Sequence, residues 1–259
     1  MGHQKAAYQI ITELFTPQTI MQSETHRKII SWYIRFDLFA GFLSGYETVL
    51  DREWYTASAD FYSRQARDRP KDLDPLYEAR FAKSRVLALD IAVFFARKGK
   101  GTMTDEDFQI SLQRIRTELA QVEHEVSSAF ANSRTYIKSF PNRPALDAED
   151  DVMGPLDQDL LLADDLFTWN FITMDFLSMS LIFKSQIAQF TNEVSGEELA
   201  AVAMQICRMF EALQYCASDS TAMVLGVQAS LGMAATCLPK DEKHTMWCRR
   251  KYATIEACG

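Results

Sequence analysis

Four charged residues stand where helical apolar spacing asks for a hydrocarbon side chain. Arg35 and Asp37 flank Phe36, Asp90 follows the run Val86-Leu87-Ala88-Leu89, and Asp175 follows Asn170-Phe171-Ile172-Thr173-Met174. A carboxylate taken into an apolar interior must be paired, because an orphaned buried charge is strongly destabilising. By helix position the nearest cations are Arg35, Arg80 and Arg85. Two chemistries fit such a set: an internal ion-pair lattice that fixes helix register, or polar groups inside a ligand pocket. The aromatics Trp32, Trp54, Trp169 and Phe176 read as core first and as pocket lining second.

Catalytic constellations are harder to find. Gly41-Phe42-Leu43-Ser44-Gly45 sets its serine one place late for a nucleophile elbow, and it lies inside a helical stripe. Gly99-Lys100-Gly101 is a helix terminus rather than a phosphate loop. The four histidines, His3, His26, His124 and His244, are scattered, and Asp241 with His244 is a single copy of the carboxylate-histidine spacing that a di-iron bundle repeats. An all-α enzyme of terpenoid-synthase type would need aspartates at helix ends to hold magnesium on a diphosphate. Asp164-Asp165 has no third carboxylate at the needed offset, and Asn170 with Asp175 lacks the downstream Ser and Glu. No metal, cofactor or catalytic residue is assigned.

The elements that position these residues are helices. Only 10 glycines and 7 prolines punctuate the 259 residues, and the apolar spacing between them is close to 3.6 with almost no strict alternation. The spacing predicts an irregular all-α array of about eight helices. An opening helix carries Ala7, Ile10, Ile11, Leu14 and Phe15 to a stop at Thr16-Pro17. A second, over 18–44, would bury Ile29, Ile30, Tyr33, Phe36 and Leu43 and close at Gly45. A third follows Asp51 through Trp54, Phe61 and Tyr62. The next runs over 75–98 from an Asp74 cap to Gly99, and Thr104 caps another with Leu112, Ile115, Leu119, Val122, Val126 and Ala129 on one seam. That seam suits packing within the chain and is compatible with a homodimer. Later helices are predicted at about 160–191, at 196–216 after the Ser195 and Glu198 capping box, at about 221–237, and from Lys240 onward.

Between residues 139 and 158 the periodicity fails, and the spacing predicts a flexible acidic loop that parts the array into two halves. Eight acids, Asp147, Glu149, Asp150, Asp151, Asp157, Asp159, Asp164 and Asp165, lie in 147–165 with no Lys or Arg among them. They account for the net charge of −8 and argue against a global field for a polyanion. Lys240, Lys243, Arg249, Arg250 and Lys251 are the one basic cluster and read as a solvated face. The five cysteines all fall after residue 206 with no C-x-x-C pair, which points to reduced thiols. The start lacks the apolar stretch of a signal peptide, and no uninterrupted run of about 18 apolar residues is present. The expectation is a soluble chain that is not a membrane protein.

Several stretches resemble the regulatory, or middle homology, domain of fungal zinc-cluster transcription factors. They are Thr19-Ile20-Met21-Gln22, Trp32-Tyr33-Ile34-Arg35-Phe36-Asp37-Leu38-Phe39-Ala40-Gly41, Leu50-Asp51-Arg52-Glu53-Trp54 and Phe171-Ile172-Thr173-Met174-Asp175-Phe176. So are Gln228-Ala229-Ser230-Leu231-Gly232-Met233-Ala234, Leu238-Pro239-Lys240-Asp241-Glu242 and Met246-Trp247-Cys248-Arg249-Arg250-Lys251. In order they span nearly the whole chain, so the expectation is one α-helical domain over 1–259, incomplete at its C-terminus. The resemblance implies a nuclear module that regulates metabolic or secondary-metabolite genes, with co-regulators or the transcriptional machinery as partners and a small-molecule effector in some members. The family's six-cysteine zinc cluster has no counterpart before Cys207, so no residue is expected to bind DNA specifically. The rival readings are the terpenoid-synthase-type enzyme and a plain helical interaction scaffold.

Overall fold

Gly45 ends its helix at φ 69°, and its N–H bonds back to Gly41 O at 2.9 Å. A residue without Cβ takes that left-handed conformation without steric cost. The computed structural model describes residues 2–145, 151–191, 193–216 and 221–258, without the side chains of Gly2, 221–225 and Cys258. Among them are nine α-helices and no strand beyond a single bridge. They are α1 (Gly2–Leu14), α2 (Glu24–Ser44), α3 (Arg52–Asp68), α4 (Leu73–Gly99), α5 (Asp105–Ser128), α6 (Trp169–Ile187), α7 (Gly196–Cys216), α8 (Thr221–Ala235) and α9 (Glu242–Cys258). The protein is all-α. The chain divides into two compact units, Met1–Glu125 and Val126–Gly259, so the division falls inside α5 rather than at 139–158.

In the first unit α4 is central and buries side chains around its whole circumference, from Tyr77 and Ala79 to Phe94, Phe95 and Ala96. α3 runs antiparallel to it: Arg52 reaches Asp90 at one end while Tyr62 packs with Ala79 and Ala82 at the other. Phe108 of α5 stacks on Phe94 at 5.0 Å. α1 lies antiparallel on α2, with Gln4 beside Asp37 and Phe15 against His26.

Several predicted boundaries shift for local reasons. α2 begins at Glu24 and not near residue 18, after a 3-10 turn at Ile20–Gln22. The Thr16 and Thr19 side chains bond each other's backbone N–H groups at 3.2 and 2.8 Å, and such local bonds compete with helix. α4 is capped by Asp72, whose carboxylate accepts from Asp74 N, and Gly99 is its last residue. Thr104 caps α5 and Ser195 caps α7 as expected, each hydroxyl accepting a backbone N–H three residues on at 3.1 Å. Ile29, Phe36 and Leu43 are not core: they are 47%, 37% and 66% exposed.

The second unit corrects the loop. Residues 135–137 and 161–163 pair antiparallel, with Ile137 N donating to Leu161 O and Ala163 N to Thr135 O, both at 2.9 Å. The Asn170 amide locks that pairing by bonding Leu162 N and Leu162 O, each at 2.9 Å. This extended segment is why α6 starts at Trp169 and not at 160. The described part of 139–158 has no helix, but it is no solvated linker: Met153 and Leu161 are buried in the core with Met174, Phe210, Leu213, Leu231 and Trp247, and Phe140, Val152 and Leu156 pack against it. Asp147, Glu149 and Asp150 lie outside the described residues. The stretch Asp164–Ile187 is long and apolar enough by composition to cross a membrane, although no uninterrupted run marks it. Most of it is buried inside the protein, where α6 is the apolar centre of the second unit.

Candidate functional site

Asp37 is fully buried on α2 and draws three other segments to it. Oδ1 accepts from Gln4 Nε2 of α1 at 2.6 Å and from Val49 N at 2.9 Å. Oδ2 accepts from Leu50 N and from the Tyr55 hydroxyl of α3, both at 3.0 Å. The Tyr33 hydroxyl completes the knot by donating to Gln4 O at 2.7 Å. The carboxylate therefore satisfies two backbone donors of the α2–α3 turn, of which Leu50 N would otherwise be buried without a partner. One turn further along α2, Gly41 lets that turn approach: a Cβ there would stand 3.3 Å from Tyr46 O. Burial and the adjacent negative charge push the Tyr55 and Tyr33 phenols above their ordinary range.

These four donors are neutral, so the expected pairing of Asp37 with an arginine is replaced by hydrogen bonds. Asp90 does have cationic partners, but not the expected ones. Arg52 pairs with it from α3, and Arg114 Nη1 reaches Oδ2 at 3.2 Å from α5. Arg80 pairs with Glu125, and Arg85 donates to Ser31 Oγ at 2.5 Å. Arg35 and Asp175 are half-buried on α2 and α6. No single pocket gathers the four charges. Trp54, Trp169 and Phe176 are core, and Trp169 Nε1 donates to Val126 O at 3.3 Å. Trp32 is not core: it is 67% exposed and stacks on Phe36 at 5.8 Å.

A second buried carboxylate lies in the other unit, at Glu211 of α7. Arg143, from the loop, donates Nε and Nη2 to Oε1 at 3.1 and 3.0 Å and also bonds Asp151. Trp247 Nε1 of α9 donates to Oε2 at 2.6 Å, and Lys251 Nζ lies 3.4 Å from the same oxygen. Lys251 also donates to Gln214 Oε1 at 2.7 Å and sits over the Tyr215 and Trp247 rings. Lys251 is thus buried and leaves the basic cluster that the sequence assigned to solvent. Burial lowers its amine from the usual lysine range, while Glu211 acts in the opposite direction. Arg208 adds a second tie to the loop through Pro155 O at 2.7 Å and Asp157 at 2.9 Å. Both carboxylates are shut off from solutes, so what they do is hold segments together.

Accessible features lie on the outside of α5, where Gln109, Ile110, Gln113, Arg114, Thr117 and Glu118 line an open recess of about 640 Å³, and on the outside of α1 and α2. His3, Gln4, Phe36, Ala40, Leu43 and Ser44 line a cleft of about 330 Å³ between the two helices. His3, Ile10 and Leu14 follow helical spacing on that side of α1, and Ile29, Trp32, Phe36 and Leu43 do so on α2. Ile10 and Leu14 are 59% and 67% exposed, so the two rows border one apolar face. The seam of α5 is no such surface, because Leu112, Ile115, Leu119 and Val126 are buried. Among the described residues no three His, Cys, Asp or Glu side chains are grouped to hold a metal ion. No family model, no curated protein and no solved structure matches the chain.

Proposed function

We propose that this chain is a regulatory domain like those of fungal zinc-cluster transcription factors, which acts in the nucleus through contacts with co-regulators or the transcriptional machinery rather than by catalysis. The genes it bears on are metabolic or secondary-metabolite genes. The observation that carries this reading is where the family-like stretches fall. Asp37 of the Arg-Phe-Asp piece, Leu50 and Arg52 of the next, and Trp247 and Lys251 of the last each tie helices together. The earlier pieces knit helices of the first unit and the last piece those of the second, and Asp37 and Asp90, two of the charges that first suggested chemistry, are spent on cohesion. The exposed apolar face of α1 and α2 suits a domain that works by contact. Deleting the gene and profiling transcripts, with the tagged protein located in the cell, tests the proposal. A nuclear signal and a coherent shift in metabolic transcripts are expected. Exclusion from the nucleus with unchanged transcripts would overturn it.

A further inference from the structure

We propose that the outer face of α1 and α2 joins two copies of this chain, with the α2 helices antiparallel about a two-fold axis at Phe36 and each Trp32 seated in the other copy's cleft. The inference does not depend on the regulatory reading. An antiparallel two-fold at Phe36 sets residues whose numbers add to 72 opposite one another, so the axis fixes the register. Ile29 then meets Leu43, and Phe36 meets its own counterpart. Trp32 meets Ala40, and Ala40 is the smallest side chain in the wall of the 330 Å³ cleft. The largest exposed side chain on the helix faces the cleft, about 12 Å along the axis at 1.5 Å per residue. A contact in which one patch is its own complement closes after two copies.

Charge and area agree with that geometry. Lys28 falls opposite Ser44, and Glu24 falls beyond the end of the facing helix, so no like charges meet along the seam. Ile10, Leu14, Ile29, Trp32, Phe36 and Leu43 are all more than a third exposed. Taking roughly 150–200 Å² for each whole side chain, the lower part of the aromatic range, their exposed fractions sum to about 500–700 Å² per copy. That is at or above the upper end of the largest apolar patch of an ordinary monomer, roughly 600 Å², and approaches the roughly 800 Å² per partner of a standard specific interface. Trp32 has the properties of a central anchor: aromatic, already stacked on Phe36, and matched by a pocket.

Sedimentation velocity on the full chain across a wide concentration range tests this, with Trp32→Ala and Ala40→Trp as variants. The first removes the knob and the second fills the hole. The expected result is a species of twice the 29.5 kDa chain mass whose dissociation constant rises at least about 30-fold in either variant. The thermal melt of dilute Trp32→Ala should match the parent, because Trp32 is 67% exposed, and the melt of dilute Ala40→Trp shows whether that variant is folded. The other three tryptophans are buried, so iodide quenching reports on Trp32 and should fall as the parent associates. A parent that stays monomeric at every concentration, or a dimer that both folded variants form equally well, would overturn the proposal.

Discussion

Replacing Asp37 with alanine strands every group that the carboxylate now satisfies. The Leu50 N–H, the Tyr55 hydroxyl and the Gln4 amide bond to it in buried settings, and the Val49 N–H in a partly buried one. A stranded buried donor costs about 1–3 kcal/mol. Four donors at the low end, offset in part by release of a buried charge and by relaxation of the turn, give about 3–5 kcal/mol. Asp37→Asn keeps one acceptor oxygen but turns an NH₂ toward two donors, so roughly half of that loss is expected. Asp159→Ala, on an exposed stretch of the loop, should stay within about 0.5 kcal/mol. Urea unfolding followed by circular dichroism reads all three as midpoint shifts at constant slope. Equal, small effects at Asp37 and Asp159 would refute the reasoning, because Asp37 would then not tie α1, α2 and α3 together.

Three further outcomes follow from the same structure. Glu211→Ala should destabilise the second unit by about 3–5 kcal/mol, since it leaves Arg143 and Lys251 facing each other without their carboxylate, and Glu211→Gln should lose less by keeping an acceptor for Trp247. Tyr55 and Tyr33 are raised above the phenol value of 10.0, chiefly by burial, so above that pH the unfolded chain releases protons that the folded chain keeps. Their contribution is fully present below pH 10 and is lost as pH rises from there, so Tyr55→Phe should flatten the alkaline fall measured by denaturation at stepped pH. Cys207 is fully buried and its thiol is pushed up by that burial, so a thiol reagent at pH 8 should label it only as the protein unfolds.

How legible the molecule was differs by kind of feature. Gly45, Thr104 and Ser195 act through bonds within a few residues, so their roles as stops and caps can be read locally. Asp37 was legible as a buried charge because a polar residue in an apolar stripe is visible from spacing. Its partners were not, because Gln4, Leu50 and Tyr55 come from elsewhere in the chain and carry no charge to flag them. Glu211 gave the same signal, an acid inside Met209-Phe210-Glu211-Ala212-Leu213, and the rule applied to Asp90 would have found it. Arg143 gave none, being one base among prolines in a segment without periodicity. Trp32 misled for a physical reason. Spacing shows that a helix has apolar stripes but not which of them faces the core, and α2 has one on each side of Tyr33, one of them turned outward.

The central claim, regulation by contact, is tested most directly by fusing the whole chain to an unrelated DNA-binding domain and measuring a reporter that carries that domain's site. The account predicts output several-fold above or below the DNA-binding domain alone, abolished by Asp37→Ala at a temperature where that variant is unfolded. A folded fusion whose output equals that of the DNA-binding domain alone would contradict it.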